Sequence, residues 1–233
     1  MQDIQINIDS EIGALNAVMV HRPGKEIENM TPATAAEVLY DDILNLQLAS
    51  REHDQLTGVL RRVADVYQFE DLLRDALSDT HMKGLLIDEL AKLYECEDLA
   101  PELKEMDNAT LASQLFQGTP MRKDSLEKYL SPLRHAIPPL PNAFFTRDAV
   151  MAVNDRVIIG SMAFKARFAE ALLLKAIFKY HGNIHSGGFY FAGTASSSQK
   201  ITIEGGDLLV LREDLIVIGY SERTTARGID ELM

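Results

Sequence analysis

The residues able to do chemistry fall in four groups, each at a strand end or loop of the expected fold, where sites are usually built. The first runs Pro141-Asn142-Ala143-Phe144-Phe145-Thr146-Arg147-Asp148, with an arginine and a carboxylate side by side before an apolar strand. By themselves Arg147 and Asp148 read as a structural ion pair before they read as a site, because paired charges are common. The second is Glu204-Gly205-Gly206-Asp207. Two acids separated by two glycines between apolar stretches are hard to justify as packing, since glycine weakens a strand and marks close approach of a backbone or a ligand. The third, Ser221-Glu222-Arg223-Thr224-Thr225, puts an arginine in a polar loop after an apolar strand. It reads evenly as an exposed arginine at a helix start or as a ligand contact, because a helix N-terminus disfavours a cation. The fourth is Arg167, near the beginning of a long helical pattern, and alone it is an ordinary surface arginine. Carboxylates and arginines together offer charge-assisted, geometrically specific hydrogen bonding.

No metal spacing emerges. His181 and His185 lie four apart, but Gly182 breaks the helix that would put both on one face, and no cysteine is near. There is no glycine-lysine phosphate loop and no dinucleotide fingerprint, and Gly187-Gly188 is too bare to count. No cofactor is expected.

The elements that must position these groups alternate between strand and helix. Leu15 to Val20 is a strand candidate closed by the turn His21-Arg22-Pro23-Gly24. A helical pattern follows from about Ala33 to Arg62, with Thr31-Pro32 as its start, and Val63 to Tyr67 is a short strand. Ala149 to Val153 and Val157 to Ile159 flank Asn154-Asp155, a hairpin signal. An amphipathic helix is expected over roughly 163–180, then strands at Ile201 to Ile203, Leu208 to Leu211 and Leu215 to Ile218. Ser221 to Met233 reads as a loop leading into a helix that stops short, so the chain looks cut there.

Between these parts, residues 71–131 show only helix-period stripes, such as Met82, Leu85, Leu86, Leu90 and Leu93. They carry 13 acidic and 7 basic residues, a net of −6, half the −12 of the whole chain. The expected organisation is therefore a helical insert over 71–131 within a core made of 1–70 and 132–233.

A chain of 233 residues with a net charge of −12 has no general affinity for nucleic acid, but its field would attract a small cation. No apolar run approaches the roughly 20 residues needed to cross a bilayer, and Met1 to Ser10 has no signal-peptide character, so no membrane partner is expected. The single cysteine, Cys96, excludes an intramolecular disulfide and suits a reducing, cytoplasmic setting.

Taken together, the motifs resemble the arginine deiminase family. Val20-His21-Arg22-Pro23-Gly24, Leu39-Tyr40-Asp41-Asp42-Ile43 and Arg51-Glu52-His53-Asp54 look like its N-terminal signatures. Leu140-Pro141-Asn142 with Phe145-Thr146-Arg147-Asp148, Glu204-Gly205-Gly206-Asp207, and Gly219 with Ser221-Glu222-Arg223-Thr224 look like its site motifs, in order. The resemblance runs over nearly the whole chain and includes the helical insert. It implies an α/β pentein fold, a propeller of strand–strand–helix–strand modules, here an incomplete ring. It implies hydrolysis of L-arginine to L-citrulline and ammonia through a cysteine-bound amidino intermediate. It also implies roles: Asp148 grips the substrate guanidinium, and Glu204 supports a catalytic histidine. Asn142, Arg167 and Arg223 secure the α-carboxylate, Phe145 walls the aliphatic stem, and Asp207 joins the binding set.

The family's nucleophilic cysteine and histidine motif have no counterpart here. Cys96 falls on the helical stretch 88–98, between Glu95 and Glu97, where neighbouring carboxylates oppose a thiolate. The expected partners are L-arginine, the missing C-terminal part of the enzyme, and further copies of the chain, because an open ring leaves apolar strands uncovered. The alternative is a non-catalytic arginine-binding or assembly module of the same fold. An amidinotransferase or agmatine-type hydrolase is disfavoured by the insert and the paired arginines.

Overall fold

The computed structural model of the chain describes residues 3–28, 38–193 and 201–233. Its clearest unit begins with Val150–Val153 and Arg156–Ile159, antiparallel from Val150↔Ile159 to Val153↔Arg156. Asn154 closes the hairpin with φ 49°, a left-handed conformation that asparagine adopts more readily than most residues, and its side-chain amide donates to the Glu213 carbonyl at 2.9 Å. The helix Phe168–Tyr180 then crosses back, and Phe189–Ala192 pairs in parallel with Arg156–Ile159. This is one complete strand–strand–helix–strand module, the kind of unit expected from the sequence. A looser version precedes it, with Ala17–Val20 parallel to Asp65–Gln68 across the helix Leu46–Leu60. Another hairpin, Leu208–Arg212 with Leu215–Ile218, is followed by the short helix Ala226–Asp230.

Several expected boundaries move. The helix drawn from about 33 begins at Leu46; its expected start at Thr31-Pro32 and residues 33–37 lie outside the described residues. Leu39 at φ 70° cannot sit within a helix, and Asn45 caps the real start, its side chain accepting from the Leu48 amide at 3.0 Å. Ile201 to Ile203 forms a single bridge, Ser161↔Ile203, instead of a strand. Ala149 closes the one-turn helix Thr146–Ala149, so the hairpin strand starts at Val150.

The helix Phe168–Tyr180 is not amphipathic in use. Nine of its 13 residues are buried, Glu170 among them. The strand Arg156–Ile159 lies against it, and so do the helices Phe69–Ala76 and Thr80–Leu93. With partners on more than one side, its polar positions had to be satisfied inside the core.

Residues 69–117 are mostly helical, with Asp79 and Asp107 capping through the amides of Met82 at 2.9 Å and Thr110 at 3.0 Å. Phe69, Leu73, Leu90, Leu111, Leu115 and Phe116 share one apolar core with Val157, Ile159, Leu173 and Ile177. Cys96 is off the helix, which ends at Leu93; Glu95 at φ 55° turns the chain and Cys96 precedes the 3-10 turn Glu97–Leu99. Among the described residues no helix is long and apolar enough to cross a membrane.

Candidate functional site

The hairpins 150–159 and 208–218 both turn at one end and open at the other. The open end of the first carries Asp148 and, after Ile159, the loop to Arg167. The open end of the second carries Glu204 and Asp207 before it and Ser221 to Thr225 after it. The Ser161↔Ile203 bridge sets the two open ends side by side.

The glycines of the Glu204-Gly205-Gly206-Asp207 turn permit that approach. A Cβ on Gly205 would run into the Arg147 carbonyl, and one on Gly206 would stand 3.1 Å from Asp148 Oδ1. The close neighbour is a backbone turn, which resolves the choice between backbone and ligand at Gly205.

Arg147 and Asp148 do not pair with each other. Arg147 donates to Glu11 at 2.6 and 3.2 Å and to the carbonyls of Leu208 at 2.8 Å and Gly205 at 3.3 Å. It staples the N-terminal segment and the second hairpin together, and its hydrogen bonds hold the Glu11 carboxyl below the usual range. Asp148, with 21 % of its side chain exposed, accepts from Arg167 Nη1 at 2.6 Å.

Arg167, an ordinary surface arginine when read alone and a carboxylate ligand by the resemblance, is 1 % exposed and among the largest fully buried side chains. Its Nε and Nη2 donate to Glu170 Oε2 at 3.0 and 2.8 Å, and Nη2 also donates to the Phe145 carbonyl at 3.2 Å. Burial opposes its charge, yet Glu170 and Asp148 hold the guanidinium protonated beyond its usual range. In this arrangement Arg167 presents no free fork to a ligand.

Glu170 was not singled out from sequence. A lone carboxylate inside Phe168-Ala169-Glu170-Ala171-Leu172-Leu173-Leu174 was the available signal, because an acid in an apolar helix needs a buried partner. Its Oε1 has no hydrogen-bond partner. Burial pushes its carboxyl up to about 7, against the pull of Arg167 and with added repulsion from Asp148 and Glu204. Burial sets that direction, and the attraction of Arg167 offsets only part of it.

Glu204 is buried and ties both loops. Its Oε1 accepts from the Ala163 amide at 2.9 Å, and its Oε2 accepts from Arg223 Nη1 at 3.2 Å. Arg223 keeps 44 % of its side chain exposed and lies 5.9 Å over the Phe164 ring. Asp207 accepts from Ser221 Oγ at 2.7 Å, and that oxygen accepts the amides of Arg223 at 2.9 Å and Thr224 at 3.2 Å. Asp207 therefore shapes the loop that carries Arg223.

Asn142 is buried, and its side-chain amide donates to the Val38 carbonyl at 2.9 Å. Tyr40 donates to the neighbouring Pro141 carbonyl at 2.8 Å, so segment 38–40 is tied to this turn. Phe145 is 47 % exposed, with the Phe144 ring tilted against it, centroids 4.1 Å apart. Asn142, Phe145, Asp148 and Arg167 thus form one cluster and Glu204, Asp207 and Arg223 another, joined at Gly206 and Ala163.

Cys96 is buried, and burial with Asp98 and Glu97 pushes its thiol up to about 11. Among the described residues no group of three or more histidine, cysteine, aspartate and glutamate side chains could hold a metal ion.

The scaffold is α/β, with one complete strand–strand–helix–strand module and with carboxylates and arginines gathered at the open ends of two hairpins. The chain belongs to the arginine deiminase family: the family model described as arginine deiminase matches residues 36–233. It is 37 % identical over 243 residues to an arginine deiminase of Limosilactobacillus reuteri and 34 % identical over 247 residues to one of Pediococcus pentosaceus. Each alignment takes in 97 % of this chain and 58 % of the relative, so the chain spans a little over half their length. Two crystal structures of dimethylarginine dimethylaminohydrolase align over 94 % of this chain, with TM-scores of 0.47 and 0.46 and 13 % and 14 % identity. The first is an adduct with S-methyl-L-thiocitrulline, the second with 4-chloro-2-hydroxymethylpyridine; they cover 55 % and 56 % of those chains.

Proposed function

We propose that this chain is the substrate-recognising part of an arginine deiminase, which hydrolyses L-arginine to L-citrulline and ammonia in the cytoplasm. The observation that carries the reading is the convergence of Asp148, Glu204, Arg167 and Arg223 from two hairpin ends in a chain of this family. A guanidinium is planar and permanently charged, so a carboxylate such as Asp148 is its natural clamp. Arg223, half exposed, is the arginine best presented to an α-carboxylate, with Asp207 holding its loop. Arg167 reaches a carboxylate only by releasing Asp148. Phe145 offers an exposed ring to the aliphatic stem, and Asn142 positions the turn between them. Glu204 stands ready to support a histidine. Residues 71–131 form a helical insert in a core of 1–70 and 132–233.

Hydrolysis needs a thiolate to attack the guanidinium carbon, with ammonia leaving and water then releasing citrulline from the sulfur. Cys96 does not supply it: it is buried, and its thiol is held protonated. The purified 233-residue chain is therefore expected to make no citrulline from L-arginine, with or without Cys96→Ala. Citrulline production that disappears in that variant would overturn the reading. Buried Cys96 also favours a second reading, a non-catalytic arginine-binding module. Adding the remaining C-terminal portion of a relative restores hydrolysis under the first reading and not under the second.

The hairpin 208–218 leaves Leu209, Leu211, Leu215 and Val217 exposed along one face. Self-association of the isolated chain through this face is expected, because exposed apolar strand surface favours burial. Sedimentation velocity should show a dimer or larger; a monomer at all concentrations would remove self-association from the proposal.

A further inference from the structure

The contact between Arg167 and Asp148 is the one that a substrate guanidinium would have to make with Asp148. One cation of the protein already occupies the carboxylate assigned to the cation of the ligand. Asp148 can serve both only if Arg167 has a second, permanent anchor. Glu170 has the geometry of that anchor: it sits one helical turn beyond Arg167, takes two of its N–H groups on one oxygen, and keeps Oε1 free of hydrogen bonds. The Phe145 carbonyl holds the guanidinium from the other side.

We propose that Glu170 is a positioning residue: it retains Arg167 in the core so that Asp148 can be exchanged from Arg167 to an incoming guanidinium. The proposal rests on the reading of the site as an arginine site. In the exchange no covalent bond changes. Asp148 gives up one charge-assisted hydrogen bond to Arg167 Nη1 and forms one to the ligand, while Arg167 keeps its two bonds to Glu170. The groups whose charge acts on Glu170 are Arg167, Asp148, Glu204, and the phenols of Tyr40 and Tyr94. Both phenols are kept neutral, by burial first and by Glu170 second, so the three carboxylates share Arg167 and Arg223 as their directly bonded side-chain cations. With Glu170→Gln, Asp148 becomes the sole counter-ion of a buried guanidinium and is no longer available.

A thermal double-mutant cycle on the full 233-residue chain at pH 7.5, with no ligand, tests the retention step. Asp148→Asn should melt within a few degrees of the wild type and Glu170→Gln at or several degrees above it, since either carboxylate suffices for Arg167 and the substitution also removes a carboxyl whose burial opposes its charge. The double variant should fall roughly 10 °C below the sum of the two, or fail to fold, because a buried guanidinium is left without a carboxylate. Additive effects, or an Asp148→Asn chain that does not fold, would overturn the proposal. Calorimetric titration with L-arginine and agmatine tests the exchange step. Glu170→Gln should weaken both on the order of tenfold or more, and Glu170→Asp should recover most of the loss. Unchanged binding in Glu170→Gln overturns the exchange. If the wild-type chain binds neither ligand while the melting cycle is non-additive, the retention of Arg167 stands and the reading of the site fails.

Discussion

Arg167→Met is expected to cost the fold about 3–5 kcal/mol at pH 7.5, the usual result of removing one partner from a buried ion pair. Arg167 is 1 % exposed and is bonded to two carboxylates at once. Asp148, partly exposed, can regain water when the cation leaves. Glu170 cannot, because it is sealed inside the helix Phe168–Tyr180 with its other oxygen already unsatisfied. Met fills most of the lost volume, so the penalty reads out charge and not a cavity. Adding Glu170→Gln to Arg167→Met should recover much of the loss, since removing both charges is far cheaper than removing one. Urea denaturation of the two variants decides it. A loss below about 1 kcal/mol in Arg167→Met would mean that Arg167 is not the charge partner described here.

The parts of this site that could be read from sequence are those where a local rule and the tertiary structure agree. Asn154-Asp155 between apolar runs specified a hairpin because the turn needs a left-handed residue, and Asn154 supplies it. Gly205-Gly206 signalled close approach because a side chain at Gly205 has no room beside Arg147. Arg167 could not be read that way. Its neighbours Lys165 and Ala166 look like an ordinary helix entrance, and its burial comes from Asp148 and Glu170, brought in by the hairpin and the helix. The pairing of Arg147 with Glu11, 136 residues apart, is equally invisible to local pattern. Hydrophobic periodicity likewise reports one apolar face, and the helix Phe168–Tyr180 has neighbours on more than one. Its only acid, Glu170, was the residue that told of this and was passed over.

Glu170 also gives the chain a pH signature with a definite sign. Its carboxyl titrates at about 7 in the folded protein, against an ordinary value of 4.5, with burial as the main cause. Between those values the folded state holds a proton that the unfolded state releases. The contribution is complete below the ordinary value and is lost as pH rises through 7, amounting to roughly 3 kcal/mol for a fully buried group. Other groups run the opposite way. His53, His135 and His181 are held below their usual range by burial, so they favour the folded state as pH rises. Glu11 is lowered by its hydrogen bond to Arg147 and loses its contribution only in acid. Comparing wild type with Glu170→Gln removes these shared effects, because both chains contain them. Near pH 5 the two should have similar stability, since a protonated carboxyl and an amide are both neutral. At pH 8.5 Glu170→Gln should be the more stable by roughly 2–3 kcal/mol, which is unusual for a substitution in the core. Urea midpoints at the two pH values measure the difference directly. A difference that stays constant from pH 5 to 8.5 would show that Glu170 keeps one protonation state throughout, and that Arg167 compensates both of its carboxylates.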